Sequence, residues 1–298
     1  INPVVATMFD RDKTKWLNIL HAGWPAGLVG AGLMTMAMGG ADWRYKVGLI
    51  FIPAVIYGVM MFKQKWPVQE RVAAGVSYMD MLREFGLLAS LLVIPIIIRQ
   101  IAVVFGLALS TEILLDIVLF LAFGYTIWPK SESIKGSKLS IVLGSPMLFI
   151  LMLIMMPLAT TEIGTDGWIT ALMEKAMGDI GLPAVTVLVY TSAIMMVLRF
   201  YAGPIIHRFK PLGLLTISAA IAAIGLLLLS QSTGIMILVV ATLYALGKSF
   251  LWPTMLGVVS EQSPKGGALT LNAIGGMGML AVGVLGFPFI FRGALDVR

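Results

Sequence analysis

Three ionisable residues stand among apolar neighbours where a charge needs a reason. Lys248 lies in the run 234–259, and Arg99 and Asp116 interrupt the runs 85–107 and 112–129. An Arg or Lys at the centre of a bilayer costs about 2.5–3.5 kcal/mol on insertion scales, which makes such a residue a functional suspect by default. Lys248 is about 14 residues from Gly234, roughly 21 Å by helical rise, too deep for its ammonium to reach outer headgroups easily. It reads as a cavity cation or a hydrogen-bond donor to a ligand. Trp252 and Pro253 follow it, and Pro253 frees a backbone carbonyl and permits a kink suited to gating. Glu162 ends the run 139–160, with Trp168 six residues on. A carboxylate there can accept hydrogen bonds from hydroxyls and an indole can stack on a ring; an outer-loop acid beside an interfacial Trp is the equal alternative. Asn18, His21 and Trp24 recur at i, i+3 and i+6, broadly on one helical face. They line a cavity or bond to neighbouring helices, and Asn272 and Tyr190 are candidates of the same kind. Arg99 and Asp116 are expected to pair with each other across neighbouring spans, a structural role.

The elements that must position these groups follow from composition. Hydrophobic residues make up 59% of the 298 positions and charged residues 12%, half the usual share of about 25%. Mean hydropathy is +0.96. The runs Trp16–Ala41, Leu139–Thr161 and Gly266–Phe291 contain no Asp, Glu, Lys or Arg, and each exceeds the ~20 residues a helix needs to cross a bilayer. Alternating ten-residue segments of the membrane β-barrel kind do not occur. The expected fold class is therefore all-α, a polytopic membrane helical bundle. Breaks at charged or Gly/Pro/Ser-rich positions give nine spans: 16–38, 44–62, 85–107, 112–129, 139–160, 183–202, 212–230, 234–259 and 266–290.

Alternate loops differ in Lys and Arg. One side carries thirteen (Arg11, Lys13, Lys15, Lys63, Lys65, Arg71, Arg83, Lys130, Lys135, Lys138, Arg208, Lys210 and Lys265) and the other five (Arg44, Lys46, Lys175, Arg292 and Arg298). The positive-inside rule makes the first side cytoplasmic, in a plasma or inner membrane. Segment 161–182, with Glu162, Asp166, Glu174 and Asp179, then lies outside. The net charge of +6 is scattered through short loops, without the stripe a nucleic-acid surface requires. With no Cys, thiol chemistry and Cys-ligated metals are excluded, and neither His stands in a metal-ligand cluster. Gly275-Gly276-Met277-Gly278 lacks the strand-to-helix context of a phosphate loop and reads as helix contact.

Three stretches resemble the major facilitator superfamily, in particular its sugar-transporting branches. Asn2-Pro3-Val4-Val5-Ala6 with Lys13-Thr14-Lys15-Trp16-Leu17-Asn18-Ile19-Leu20-His21-Ala22-Gly23-Trp24 is similar to the end of helix 4, its cytoplasmic loop and helix 5. Arg199-Phe200-Tyr201-Ala202-Gly203-Pro204-Ile205-Ile206-His207-Arg208-Phe209-Lys210 is similar to the loop motif between helices 8 and 9. Gly247-Lys248-Ser249-Phe250-Leu251-Trp252-Pro253-Thr254 and Ser260-Glu261-Gln262-Ser263-Pro264-Lys265-Gly266-Gly267-Ala268 are similar to helix 10, its loop and the start of helix 11. The resemblance implies helices 5 to 11 of that fold, truncated at both ends. On that mapping, 1–62 ends the N-terminal six-helix half, 63–138 is a cytoplasmic linker holding an inserted transmembrane hairpin, and 139–298 is the C-terminal half. Leu17-Asn18 and Leu271-Asn272 echo one another where its parallel halves should repeat.

What the resemblance implies is secondary active transport of a small-molecule solute by alternating access in a lipid bilayer. Sugars or related polyhydroxylated compounds are the first substrate expectation, with proton coupling left open. Glu162, Trp168, Lys248, Trp252, Asn18, His21, Trp24, Asn272 and Tyr190 are the expected substrate-binding residues. Arg199, Gly203, His207, Arg208, Glu261 and Pro253 are expected to gate. The motif departs from the family at His207, where Asp is usual, which weakens the latch that carboxylate makes. The alternatives are an organic-anion or drug transporter with Lys248 as counter-ion, a non-transporting sensor, and an intramembrane enzyme acting on lipid-linked substrates. An enzyme needs a convergent acid, base or metal constellation; no such constellation is legible, so neither enzymatic activity nor a cofactor is expected.

Overall fold

The computed structural model describes residues 1–9, 11–65, 67–68, 70–129, 137–263 and 265–288. Of the basic residues used for orientation, Lys130, Lys135, Arg292 and Arg298 lie outside the described residues, as do the last two positions of the expected span 266–290. Among the described residues the structure is helical, with no strand. In chain order the main helices are α1 (Lys13–His21), α2 (Gly23–Ala37), α3 (Trp43–Met61), α4 (Tyr78–Phe105), α5 (Leu109–Ile127), α6 (146–172), α7 (Val185–Phe200), α8 (Ala202–Phe209), α9 (Pro211–Leu229), α10 (Met236–Lys248), α11 (Leu251–Gln262) and α12 (Gly267–Gly286).

Seven helices among the described residues are long and apolar enough to cross a membrane, and an eighth if α7 and α8 count as one span bent by 71°. Their surfaces agree with lipid as the solvent. On α5, Ile113, Leu114, Ile117, Val118 and Leu121 all point outward, whereas a helix on a water-soluble core buries such residues and exposes polar ones. The chain is thus an all-helical protein with the spans of a multi-pass integral membrane protein.

Several expected spans are interrupted where residue chemistry demands it. The run 16–38 is two helices, α1 and α2, broken at Ala22, so neither reaches the length of a full span. The expected span 85–107 begins inside a longer α4, which departs from helical geometry at Gly86 (φ 63°, ψ −176°). The run 234–259 is likewise two helices, separated at Ser249–Phe250. Past α7 the chain forms α8 rather than an open loop, and Lys210 at φ 58° turns it into α9.

The helices fall into two compact units, 1–17 with 68–165 and 251–298, and 18–67 with 166–250. In the first unit, α4 and α5 form a hairpin. Phe85 meets Phe123 edge to face (centroids 5.9 Å), and Arg83 Nε donates to the Ile127 carbonyl at the end of α5 (3.0 Å). Gly86 and Gly144 (φ 79°) bring two backbone segments together so closely that a Cβ on either would collide with the other segment. The Ser145 N–H donates to the Glu84 carbonyl across that contact (2.9 Å). A cleft of about 690 Å3 opens beside it, lined by Asp80, Arg83, Glu84, Ser140 and Lys265 among others. Helix α6 packs on α11 and α12. In the second unit α9 and α10 pack through Gly225 against Tyr244 and Gly247 against Ala222. Small residues let membrane helices approach closely in this way. Helix α7 packs on α10 and on α2, where Gly32 admits Val189.

The expected pairing of Arg99 with Asp116 is corrected. Arg99 Nη1 bonds Glu112 Oε2 at 2.9 Å. Glu112 lies one turn nearer the hairpin tip, within reach of the guanidinium. Asp116 sits deeper, in an apolar groove with Leu91, Ile94, Pro95 and Phe120, and its Oδ1 is buried without a hydrogen-bond partner.

Candidate functional site

Two Trp-Pro steps organise the polar interior. Proline has no N–H, so in a helix the carbonyl four residues earlier loses its partner. Pro25 does this to His21, at the break between α1 and α2, and Pro253 does it to Ser249, at the break between α10 and α11. An orphaned carbonyl in a bilayer must be satisfied from elsewhere. Within the second unit a single side chain satisfies both. Arg199, near the end of α7 and 1% exposed, donates from Nε to the Ser249 carbonyl (2.6 Å) and from Nη1 to the His21 carbonyl (2.9 Å). A guanidinium carries several donors in a fixed plane, which suits it to two acceptors at once.

One residue before Ser249, Lys248 closes α10 with its side chain fully buried. A cation at a helix C-terminus is favoured by the exposed carbonyls there. Its Nζ makes an ion pair with Asp166 Oδ1, donates to Thr191 Oγ1 on α7 (3.3 Å) and lies 4.9 Å from the centroid of the Tyr244 ring. Asp166 is 6% exposed, and its second oxygen, Oδ2, has no hydrogen-bond partner. A buried pair of this kind persists only where geometry and extra hydrogen bonds offset the desolvation of two charges.

The first unit holds a second buried carboxylate. Helix α6 runs as Pro146–Ala159, passes through a π-helical turn at Thr160–Gly164 and continues as Thr165–Leu172. Glu162 lies in that turn, 2% exposed, and its Oε2 accepts the backbone N–H of Trp252 at 2.9 Å. Trp252 is in the first turn of α11, whose leading N–H groups have no partner within the helix. An anion there meets the positive end of the helix dipole. π-turns are often found at functional sites. A second one, Val282–Gly286, packs on the first, with Gly286 against Thr160. The Trp252 ring lies against Gly278 beside Met155. Elsewhere in this unit Thr14 Oγ1 donates to Glu261 Oε1 (2.8 Å), joining the first turn of α1 to the end of α11.

The remaining expected residues are placed as follows. Asn18 is buried and His21 partly buried, both on α1, while Trp24 on α2 is 49% exposed. Trp168 is partly buried and Asn272 is exposed. Tyr190 shares a 2.7 Å hydrogen bond with Thr242. Gly203 and Pro253 are buried, and His207, Arg208 and Glu261 are exposed. Among the described residues no group of three or more His, Cys, Asp or Glu is placed to hold a metal ion.

No protein-family model, curated protein or solved structure matches this chain. Three participants were not among the expected site residues. Asp166 stands in a stretch whose acids suggested an outer loop; its four-residue spacing from Glu162 was the available signal. Thr191 and Tyr244 are ordinary polar residues of apolar helices and carry no signal of their own.

Proposed function

We propose that the chain is a secondary transporter of the major facilitator superfamily, which carries small polyhydroxylated solutes such as sugars by alternating access. The observation that carries this reading is the buried Lys248–Asp166 pair at an interruption near the middle of the 27-residue span Met236–Gln262. Transporters place substrate and coupling-ion sites near the midplane at interrupted helices, where half-helix ends face the ligand. Charges kept there are costly without a function. Glu162 and the leading N–H groups of α11 supply further polar groups along the same interrupted span. The basic loops face the cytoplasm in this reading, and the bend between α7 and α8 and the Thr14–Glu261 bond act in cytoplasmic gating.

The test is uptake of labelled hexoses into proteoliposomes. Saturable uptake, abolished by Lys248→Ala or Glu162→Gln in protein that still folds, supports the assignment. Absence of any hexose uptake by correctly folded protein removes sugars as the substrate.

A further inference from the structure

The Lys248–Asp166 pair also bears on what the solute must be; this inference rests on the transport reading above. Among the described residues Lys248 has one anionic partner, Asp166, and that carboxylate has one oxygen on the ammonium and one buried without a partner. The ionisable groups on the helices packed around Lys248 are otherwise committed or neutral. Helix α9 has none, and neither does α2, behind α7. Helix α10 adds Tyr244, whose ring lies beside the ammonium. Helix α7 carries Arg199, held by two carbonyls, and Tyr190, bonded to Thr242. On the same helical run as Asp166, Glu162 accepts the Trp252 N–H.

In such surroundings the charge of the pair has to balance at each step. A proton arriving on Asp166 alone leaves a buried ammonium uncompensated. An anion arriving on Lys248 alone leaves one negative charge in excess. Each arrival is unfavourable singly and neutral together, so each promotes the other, and this coupling is reciprocal. We propose that Lys248 and Asp166 form an exchange site for a monoanionic, carboxylate-bearing solute carried together with one proton. The proton binds Asp166, Lys248 keeps its own protons, and its ammonium trades the Asp166 carboxylate for that of the solute. A sugar acid combines this anion with the hydroxyls of the proposed substrate class. The step is electroneutral and needs no other ion.

The experiment uses the full chain in proteoliposomes, with labelled glucuronate and glucose as probes. The expected result is glucuronate accumulation driven by an alkaline interior, approaching about tenfold per pH unit, with no response to a potassium-diffusion potential at equal pH. Asp166→Asn, which removes the proton-binding carboxylate, is expected to abolish the pH-driven accumulation of glucuronate in protein whose circular dichroism matches wild type. Glucuronate uptake driven by the potential and indifferent to pH would overturn the proton coupling; that measurement needs no variant. Uptake of glucose but not glucuronate would overturn the anionic solute while leaving the carrier reading intact. Uptake of neither probe, nor of any other hexose or sugar acid, would remove the carrier reading and this inference with it.

Discussion

Replacing Arg199 with Ala removes the donors to two carbonyls that proline has already deprived of their helical partners. Hydrogen bonds to charged groups contribute about 1.5–3 kcal/mol each in water-soluble proteins, which for two gives about 3–6 kcal/mol. Hydrogen bonds between membrane helices average ~0.6 kcal/mol in double-mutant cycles, which for two gives about 1.2 kcal/mol. Burial of the guanidinium and the absence of helical N–H groups for both carbonyls place the expected loss between those bounds, at about 2–4 kcal/mol. The sharper prediction is a coupling. Pro25→Ala restores an N–H to His21, and Pro253→Ala restores one to Ser249, so each should reduce the cost of Arg199→Ala by about 1 kcal/mol. The assay is reversible unfolding in mixed micelles for the single and double variants of each cycle. Additivity within the ~0.5 kcal/mol typical of independent sites would refute the assignment of Arg199 to these carbonyls.

Other outcomes follow from the same structure. Lys248→Met or Asp166→Asn alone leaves one member of a buried pair unmatched and is expected to cost about 3–5 kcal/mol, whereas Asp166→Asn with Lys248→Met should restore most of that stability in the same unfolding assay. Gly86→Ala demands a positive φ of a residue with a Cβ and drives that atom into the Gly144 backbone; a loss of about 2 kcal/mol or more, or failure to fold, is expected by thermal unfolding in detergent. Glu112→Gln should cost under ~1 kcal/mol, because the Arg99 side chain is 58% exposed and screened. Asp116→Leu should raise stability by about 1 kcal/mol, since it removes a polar oxygen without a partner from an apolar groove.

Several long spans were legible because in a membrane protein the apolar run is itself the element: the expected 44–62, 112–129, 183–202 and 212–230 end within three residues of the helix termini, whereas the expected 139–160 stops twelve residues short of Leu172 and 85–107 starts seven residues after Tyr78. The breaks were half legible. Pro253 announced a freed carbonyl, but its donor, Arg199, lies 50 residues from Ser249 in the chain and only folding brings them together. Pro25 makes the same step after His21, and its pairing with the same guanidinium has no local signature. Asp166 was misplaced because four acids in 161–182 look like a solvated loop; the π-turn carries the helix on through Asp166 instead. Arg99 was expected to pair with Asp116 and pairs with Glu112 instead, because composition could not choose between two carboxylates one turn apart. The Gly86–Gly144 contact depends on two backbone conformations that isolated glycines in a sequence do not reveal.

The most direct test of the account is solute uptake by the Asp166→Asn, Lys248→Met double variant, beside wild type, in proteoliposomes. Removing both charges keeps the interior neutral, so the protein is expected to fold with near wild-type stability and to carry neither hexose nor sugar acid. A folded double variant that transports at the wild-type rate would contradict the claim that the interruption of the 236–262 span is the functional centre.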